Sequence, residues 1–287
     1  MTQQISKTLK AILLGSGDRR PKILAQVEQL REQIESVVEI VLEDFAYQED
    51  LSNVEADLAI VFGGDGSILR AAKQMGQKQI PVLGVNLGKL GFLADIHPEE
   101  LLDSLKCIVN GESNLIDHLM IRCQVFRDGE LVSDEIGLNE VAILGGPPFD
   151  IQQIELFVDE EHATSYLCDG LIISTPVGST AHNLSAGGPI LRKNLQAFVI
   201  SPISPHTLTV RSVVDTADRT YEIVVSKPNE STCVVFDGQV LSKLSSEDRV
   251  RITRADSVFQ MIQIAGNTYY STLREKLGWS GQFYKSQ

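Results

Sequence analysis

In roughly the first 115 residues, short apolar runs alternate with stretches whose apolar residues recur every three or four positions. AILLGSG (11–17) predicts a strand and a turn. Ile23, Val27, Leu30, Ile34 and Val37 then mark one helical face, with Asp18 placed to cap it and Pro21 in its first turn. VVEIVL predicts a second strand. DLAIVF (57–62) is an unbroken apolar run of the kind found in a strand covered on both faces. SILRAAKQM predicts a helix with Ile68, Leu69, Ala72 and Met75 inward, and IPVLGVN the next strand. HPEELLDSLKCIV predicts an acid-started helix, with Pro98 and Glu99 where the helix dipole favours them. Strands alternating with helices predict a parallel sheet with right-handed crossovers.

From about residue 117 the period changes. LMIRCQVFRDGELVSDE predicts a hairpin turning at Asp128–Gly129. GLNEVAIL, IQQIELFVD, ATSYLCDG, QAFVISPI, TLTVRS, TYEIVVS, STCVVFDG, DRVRITRA and SVFQMIQIA each predict a short strand. Only VGSTAHNLSAGG and the tail STLREKLGW look helical. The expected organisation is an α/β domain over 1–116 and a β-rich domain of two packed sheets over 117–267, with 268–287 returning to the first domain. No internal repeat or low-complexity stretch is visible.

Composition narrows the function. A net charge of −13 over 287 residues argues against broad nucleic-acid binding, which needs a basic footprint. No apolar run approaches the roughly 18–20 residues of a membrane span, and AILL near the start reads as a strand rather than a signal-peptide core. Cys107, Cys123, Cys168 and Cys233 are scattered, without C-x-x-C, as expected of reduced thiols in a cytosolic protein.

The candidate chemistry starts at VFGGDGS (61–67). In parallel α/β sheets ligands gather at the carboxyl ends of strands. There Gly63, Gly64 and Gly66 would let a phosphate approach backbone N–H groups at a helix start. Asp65 repels a bare phosphate. Its charge makes sense if it binds a metal, or if it takes the proton of a hydroxyl that attacks phosphorus. The bland alternative is a strand–turn–helix connection with Asp65 or Ser67 as N-cap. The turn is not a P-loop: GVNLGKL (84–90) has the wrong spacing, and no G-x-G-x-x-G occurs.

Three further stretches carry polar groups. GVNLGKLGFLAD (84–95) is expected to bring Asn86 and Phe92 to the same crevice, or to be a plain connector. LNEV places Asn139 and Glu140 either at an ordinary strand start or where they hydrogen-bond a ribose or base edge. In 168–191, Asp169 precedes an apolar LII strand, and Pro176 and Gly178 break the chain. Ser179 or Thr180 can cap a short helix that Gly187–Gly188–Pro189 stops. That element carries Thr180, His182, Asn183 and Ser185.

GGDGS, LGKLGFLAD, LNEV, DGLIISTPVGSTAHNLSAGGPI, SPISPH, DGQ and TLREKLGW occur in the order seen in NAD kinases, from about residue 58 to the end. On these motifs the chain resembles that family; GGDGS alone also resembles 6-phosphofructokinases and lipid kinases. The resemblance implies a Rossmann-like, diacylglycerol-kinase-like α/β N-terminal domain and a β-rich C-terminal domain. It implies transfer of the terminal phosphate of ATP, or of polyphosphate, to the adenosine-ribose 2′-hydroxyl of NAD, with a divalent metal, magnesium being expected. Asp65 would be the general base with Gly66 beside it, and Gly63, Gly64 and Ser67 would complete the phosphate turn. Asn139 and Glu140 would contact NAD. Asp169, Thr180, Ala181, His182, Asn183, Leu184 and Ser185 would meet its base and nicotinamide ends, with Gln239 nearby.

The chain departs from the family pattern in places. His182-Asn183 stand where many members have Tyr-Ser, and Ser67 replaces the commoner Thr. Leu167 in the NAD-binding set stands where many bacterial members carry Arg, and Asp150 where a basic residue is common; both departures bear on NAD against NADH. The family also implies a cytoplasmic homodimer or homotetramer without membrane or nucleic-acid partners. The rival readings are a sugar or lipid kinase sharing the GGDG turn and a non-catalytic NAD(P)-binding sensor.

Overall fold

Four apolar runs in the first third of the chain become parallel strands in the computed structural model, which describes residues 8–17, 21–88, 91–94, 96–264 and 269–277. They are β1 (Lys10–Gly15), β2 (Glu39–Asp44), β3 (Leu58–Phe62) and β4 (Val82–Val85), in the order β2-β1-β3-β4. All of β3 and β4 is buried, as unbroken apolar runs require. β2 starts two residues later than VVEIVL suggests, because the N–H groups of Val37 and Val38 both turn back to the Ile34 carbonyl.

The crossovers carry α1 (Pro21–Glu35), α2 (Asp65–Met75) and α3 (Leu101–Val109). Ile23, Val27 and Ile34 of α1 are buried, as their spacing predicts, with Leu30 and Val37 half-buried against the same core. On α2 the inward residues are Ile68, Ala71, Ala72 and Met75. Leu69, expected inside, is only half-buried: at 100° per residue it sits a quarter-turn off the Ile68–Met75 stripe. A turn of 3₁₀ helix, Pro98–Glu100, precedes α3, where the Glu100 carboxylate accepts the His97 N–H at 3.0 Å and closes a capping box. Asp18, Lys89, Leu90, Asp95 and the Gly278–Trp279 end of the tail lie outside the described residues.

The chain divides into two compact units, Met1–Ile116 with Gln260–Gln287, and Asp117–Phe259. The first also holds α5 (Tyr269–Leu277) and the end of β16 (Arg249–Gln263), whose Met261 pairs in parallel with Val82. Among the described residues no helix is long and apolar enough to cross a membrane. The four cysteines are all free.

The second unit is built from strands in two layers. One sheet runs β12 (Val213–Thr216), β11 (Ala197–Ile203), β10 (Gly170–Ser174), β7 (Glu140–Leu144), β14 (Cys233–Phe236), β15 (Gln239–Lys243), every neighbour antiparallel. The other contains the hairpins β5 (Asn114–Arg127)–β6 (Glu130–Gly137) and β8 (Gln152–Val158)–β9 (Glu161–Cys168), with β13 (Tyr221–Val225) and β16. Asp128 and Gly129 turn the first hairpin with φ of 51° and 82°, the positive values a two-residue turn between twisted strands needs. Alternate residues of both sheets enter one core, where the Phe198 and Tyr221 rings meet edge-on at 5.9 Å.

Three expectations in this half are corrected. Thr207–Ser212 (TLTVRS) is not a strand. The Arg211 guanidinium donates to the carbonyls of Leu208 and Val210 at 2.7 Å each and curls the segment, leaving Leu208 90% exposed. DRVRITRA and SVFQMIQIA are one strand, β16, because no Gly or Pro interrupts them. VGSTAHNLSAGG holds only a 3₁₀ turn, Gly178–Thr180, and the single-turn helix α4 (His182–Ser185).

One buried group ties this core to pH. His118 is 3% exposed and its Nδ1 has no partner among the described residues. Burial, reinforced by the Lys193 charge, holds its imidazole down at about 4, against the smaller opposing effects of a hydrogen bond to the Lys193 backbone and the Asp117 charge. The folded ring stays neutral while the unfolded one protonates near 6.5. Its contribution to stability is therefore complete above pH 6.5 and lost as pH falls to about 4. A His118→Phe variant should remove that dependence. The wild-type minus variant stability from denaturant melts should fall by on the order of 3 kcal/mol across this window.

Candidate functional site

The β3 strand ends at Phe62, and the chain turns directly into α2. Gly63 has φ 141°, and a Cβ there would sit 2.2 Å from the Ser67 hydroxyl, so only glycine fits. Gly64 is the N-cap without a side-chain cap, and Asp65 is the first helical residue, so neither Asp65 nor Ser67 is the N-cap. Instead the Asp65 carboxylate reaches across to the loop after β4. Oδ2 accepts the Phe92 N–H at 2.7 Å, and Oδ1 accepts those of Leu93 at 2.9 Å and Ala94 at 3.2 Å. Gly91 lets the carboxylate in, because a Cβ there would lie 2.0 Å from Oδ1. A Cβ on Gly64 or Gly66 would meet nothing within 4 Å, so packing within the protein does not require those two glycines. Phe92 reaches the turn's neighbourhood through its backbone, while its ring lies 5.9 Å from the Lys276 ammonium. The Ser67 N–H donates to the Gly64 carbonyl at 2.9 Å, which leaves the Asp65 and Gly66 N–H groups at the helix start without a partner in the helix. This turn can hold an anion on its backbone and keep one aimed carboxylate beside it.

In the second unit the polar residues gather where β7 begins. The Asp237 carboxylate accepts three consecutive backbone N–H groups, those of Leu138 at 2.8 Å, Asn139 at 2.8 Å and Glu140 at 3.1 Å. From the other side the Asn139 carbonyl accepts the Thr175 N–H at 2.8 Å, and the Thr175 hydroxyl donates to the Leu138 carbonyl. Gly178 packs so closely that a Cβ would lie 2.3 Å from the Asn139 carbonyl oxygen. The backbone of Asn139 is thus fixed, while its side-chain amide makes no hydrogen bond among the described residues. The Glu140 side chain is 6% exposed, and its Oε2 is buried without a partner. Burial, then the neighbouring Asp237 charge, pushes its carboxyl up to about 8.

The PVGSTAHN segment lies on the same end of this sheet, since Ser174 pairs with Glu140. Its hydroxyls do not cap helices as expected: Ser179 donates to the Pro176 carbonyl at 2.6 Å and Thr180 to that of Val177 at 3.2 Å. Asn183 is fully buried. Its amide donates to the carbonyls of Ser179 and Pro189, both at 3.0 Å, and accepts the Ser201 hydroxyl at 2.7 Å. Asn183 is therefore spent on holding this loop. Thr180, Ala181, His182 and Leu184 are half-buried and Ser185 exposed, and Gln239 is exposed just after the Asp237–Gly238 turn. Asp169 and Leu167 are not brought to this end. Gly170 pairs with Leu144, so they lie beyond the opposite end of β10, which is itself four residues or about 13 Å from Ser174. Both are exposed.

Sequence reasoning missed Asp237, although it noted the DGQ motif. Nothing local marks an aspartate whose partners lie 97 to 99 residues away. It noted Asn86 but not its state: the side chain is 2% exposed, and its amide nitrogen is buried without a partner among the described residues. Among the described residues no group of three or more His, Cys, Asp or Glu side chains could hold a metal ion.

Comparison with known proteins gives consistent matches across the chain. The family model for the ATP-NAD kinase N-terminal domain matches residues 23–113, and that for the ATP-NAD kinase C-terminal domain matches 138–264. An NAD kinase of Rhodopirellula baltica is 54% identical over 273 residues, covering 95% of this chain and 88% of the relative. A solved NAD kinase from Archaeoglobus fulgidus in complex with ATP superposes with a TM-score of 0.76 at 26% identity, covering 95% of this chain and 100% of that one. The yeast NADH kinase complexed with NADH superposes at 0.87, covering 98% and 91%; at 20% identity it speaks for the fold alone.

The buried Glu140 carboxyl has a measurable signature. Below pH 4.5 it is protonated folded or unfolded and costs nothing. Between 4.5 and about 8 only the unfolded chain releases the proton, and stability drains away as pH rises. A Glu140→Gln variant should therefore match the wild type near pH 4.5 and exceed it increasingly up to pH 8, by on the order of 5 kcal/mol in denaturant melts.

Proposed function

This chain belongs to the NAD kinase family and is a kinase, and we propose that it transfers the terminal phosphate of ATP to the 2′-hydroxyl of the adenosine ribose of NAD, giving NADP. The observation that carries our assignment of roles is the Asp65 turn. One carboxylate is held by three backbone N–H groups next to glycines that leave open space. Oδ1 already accepts two N–H groups and Oδ2 only one. Each carboxylate oxygen has about two lone-pair sites, so Oδ2 is the atom we assign to take the hydroxyl proton. The held carboxylate needs no reorientation, which favours a general base. The N–H groups of Gly64 and Gly66 would receive phosphate oxygens, in a turn that Gly63 and Ser67 complete while their own N–H groups donate to the Val85 and Gly64 carbonyls.

For NAD we propose the free Asn139 amide and the unpartnered Glu140 carboxyl as the groups that recognise a ribose or base edge. Thr180, Ala181, His182, Leu184, Ser185 and Gln239 would line the same ligand, with Asn183 fixing the loop beneath them. Asp169 and Leu167 belong to the proposal through the family pattern alone. A divalent cation, magnesium in the family's expectation, would arrive on the donor's phosphates. Magnesium commonly binds that way, with one or two carboxylates, and Asp65 is the carboxylate at this turn. Four free thiols support a reducing, cytoplasmic location. Exposed Phe149, Leu208 and Val240 support assembly into two or four copies. The relatives give no support to a non-catalytic sensor or to a sugar or lipid kinase.

The test is NADP formation from NAD, ATP and magnesium, reported by an NADP-specific dehydrogenase. Asp65→Asn should lower kcat by about 10²–10⁴ while NAD still binds. A near-wild-type rate would remove Asp65 from the base role. Leu167→Arg, which installs the residue that many bacterial members carry, should shift the ratio of kcat/KM values for NAD and NADH toward NAD. An unchanged ratio would show that position 167 does not set the preference.

A further inference from the structure

The Asp237–Gly238 turn joins β14 to β15, where Phe236 pairs with Gln239, and its φ values of 44° and 79° suit a two-residue hairpin. Such a turn needs no anchor of its own, yet the Asp237 side chain turns back onto the start of β7. Oδ2 accepts the Leu138 N–H, and Oδ1 accepts those of Asn139 and Glu140. The Asp237 N–H donates in return to the Glu140 carbonyl at 3.1 Å. Gly137 makes room for this approach, because a Cβ there would lie 2.4 Å from Oδ2. On the other flank Gly178 and the Thr175 N–H close on the Asn139 carbonyl. The backbone at Asn139 and Glu140 is therefore clamped from both sides.

The same carboxylate acts on the Glu140 side chain. Its Oε2 is buried, with no hydrogen-bond partner among the described residues. Burial and the Asp237 charge both favour the neutral carboxyl. Of the other groups that border it in this unit, Ser174 across the strand pair, Phe236 and Thr175 carry no charge. His182 on α4 is the titratable group of the segment at the same end of the sheet. An ionised carboxylate can only accept hydrogen bonds, whereas a neutral carboxyl has one O–H to give. A neutral group also adds no repulsion to a ligand that carries a pyrophosphate.

We propose that Asp237 is a positioning residue of the NAD site: through its bonds to the start of β7 it presents the Glu140 carboxyl to NAD as a hydrogen-bond donor, whose O–H meets a ribose oxygen or a base ring nitrogen. The proposal rests on the NAD kinase reading and specifies what Glu140 gives to the ligand of that site.

The experiment is calorimetric titration of NAD, at pH values from about 6 to 9, into the wild type, Glu140→Gln, Asp237→Asn and the double variant. The wild-type affinity should be flat below about pH 8 and fall by up to about ten-fold per pH unit above it, as the donor is lost. The Gln amide gives and accepts as a neutral carboxyl does. Glu140→Gln should therefore bind NAD within about three-fold of the wild type at pH 7 and lose the fall, which assigns the fall to Glu140 rather than to His182. Asn at position 237 keeps an oxygen for two of the three N–H groups and loses the charge. Asp237→Asn should bind about three- to ten-fold more weakly at pH 7, and its fall should begin at lower pH. A purely structural aspartate would weaken binding equally at every pH. The double variant carries the stabilising Glu140→Gln change, guards against an unfolded Asp237→Asn, and should bind more weakly than Glu140→Gln alone. A ten-fold or greater loss in Glu140→Gln at pH 7, a fall that Asp237→Asn does not move, or a double variant equal to Glu140→Gln would overturn the proposal. NADP formation is measured separately. If the wild type makes none while the titrations come out as expected, the kinase reading fails and the roles of Asp237 and Glu140 in binding NAD stand.

Discussion

An aspartate carboxylate that collects consecutive backbone N–H groups is the interaction on which both units rely. Asp65 gathers those of Phe92, Leu93 and Ala94, and Asp237 gathers those of Leu138, Asn139 and Glu140. Each is a charge-assisted bond, worth about 1.5–3 kcal/mol before the cost of withdrawing the carboxylate from water. Of the residues held only Glu140, the first of β7, belongs to a strand, so few ladder bonds compete for the work. The Gly91–Ala94 loop has one internal backbone bond, Gly91 N–H to the Ala94 carbonyl at 3.2 Å. Besides Asp65, that bond and the burial of Leu93 and Ala94 hold the run.

The two carboxylates leave different things free. Asp65 opens the helix that follows a buried strand, and the N–H groups of Asp65 and Gly66 remain available to a ligand. Asp237 immobilises the backbone of its partner segment, so the Asn139 and Glu140 side chains are presented with no internal hydrogen bond consuming them, at the Glu140 Oε2 in particular. That atom is costly: burying a carboxyl beside another carboxylate keeps it protonated up to about pH 8. A group this unfavourable for folding is what a binding site retains when a ligand completes its hydrogen bonding. Asn183 illustrates the opposite case, a polar side chain wholly used in holding its own loop.

The sequence made the α/β half legible because its signals are local. LAIVF is a buried run, the glycines mark where it must turn, and Ile68, Ala72 and Met75 repeat at helical spacing. Hairpins with a clear turn, such as Asp128–Gly129, were legible for the same reason. TLTVRS misled because alternation alone cannot show that Arg211 will fold back onto the carbonyls of its own segment. Leu69 misled because a neighbouring alanine held the better angular position. At the candidate site, residue types were readable but states were not. Nothing in LNEV reveals that Glu140 is buried and Asn139 is not. Nothing in DGQ reveals that Asp237 is the anchor, and nothing in SILRAA reveals that Arg70 has Tyr47 as its neighbour. Those facts come from contacts tens of residues apart in sequence.

The Asp65 carboxylate, more than the packing of the buried Leu93 and Ala94, holds the backbone of the loop after β4. Residue-resolved amide hydrogen exchange on the wild type and Asp65→Ala tests it directly. The account predicts that the Phe92, Leu93 and Ala94 amides are protected in the wild type and exchange freely in the variant, while the amides of β1, β3 and β4 keep their protection. Equal protection of those three amides in both proteins would contradict it.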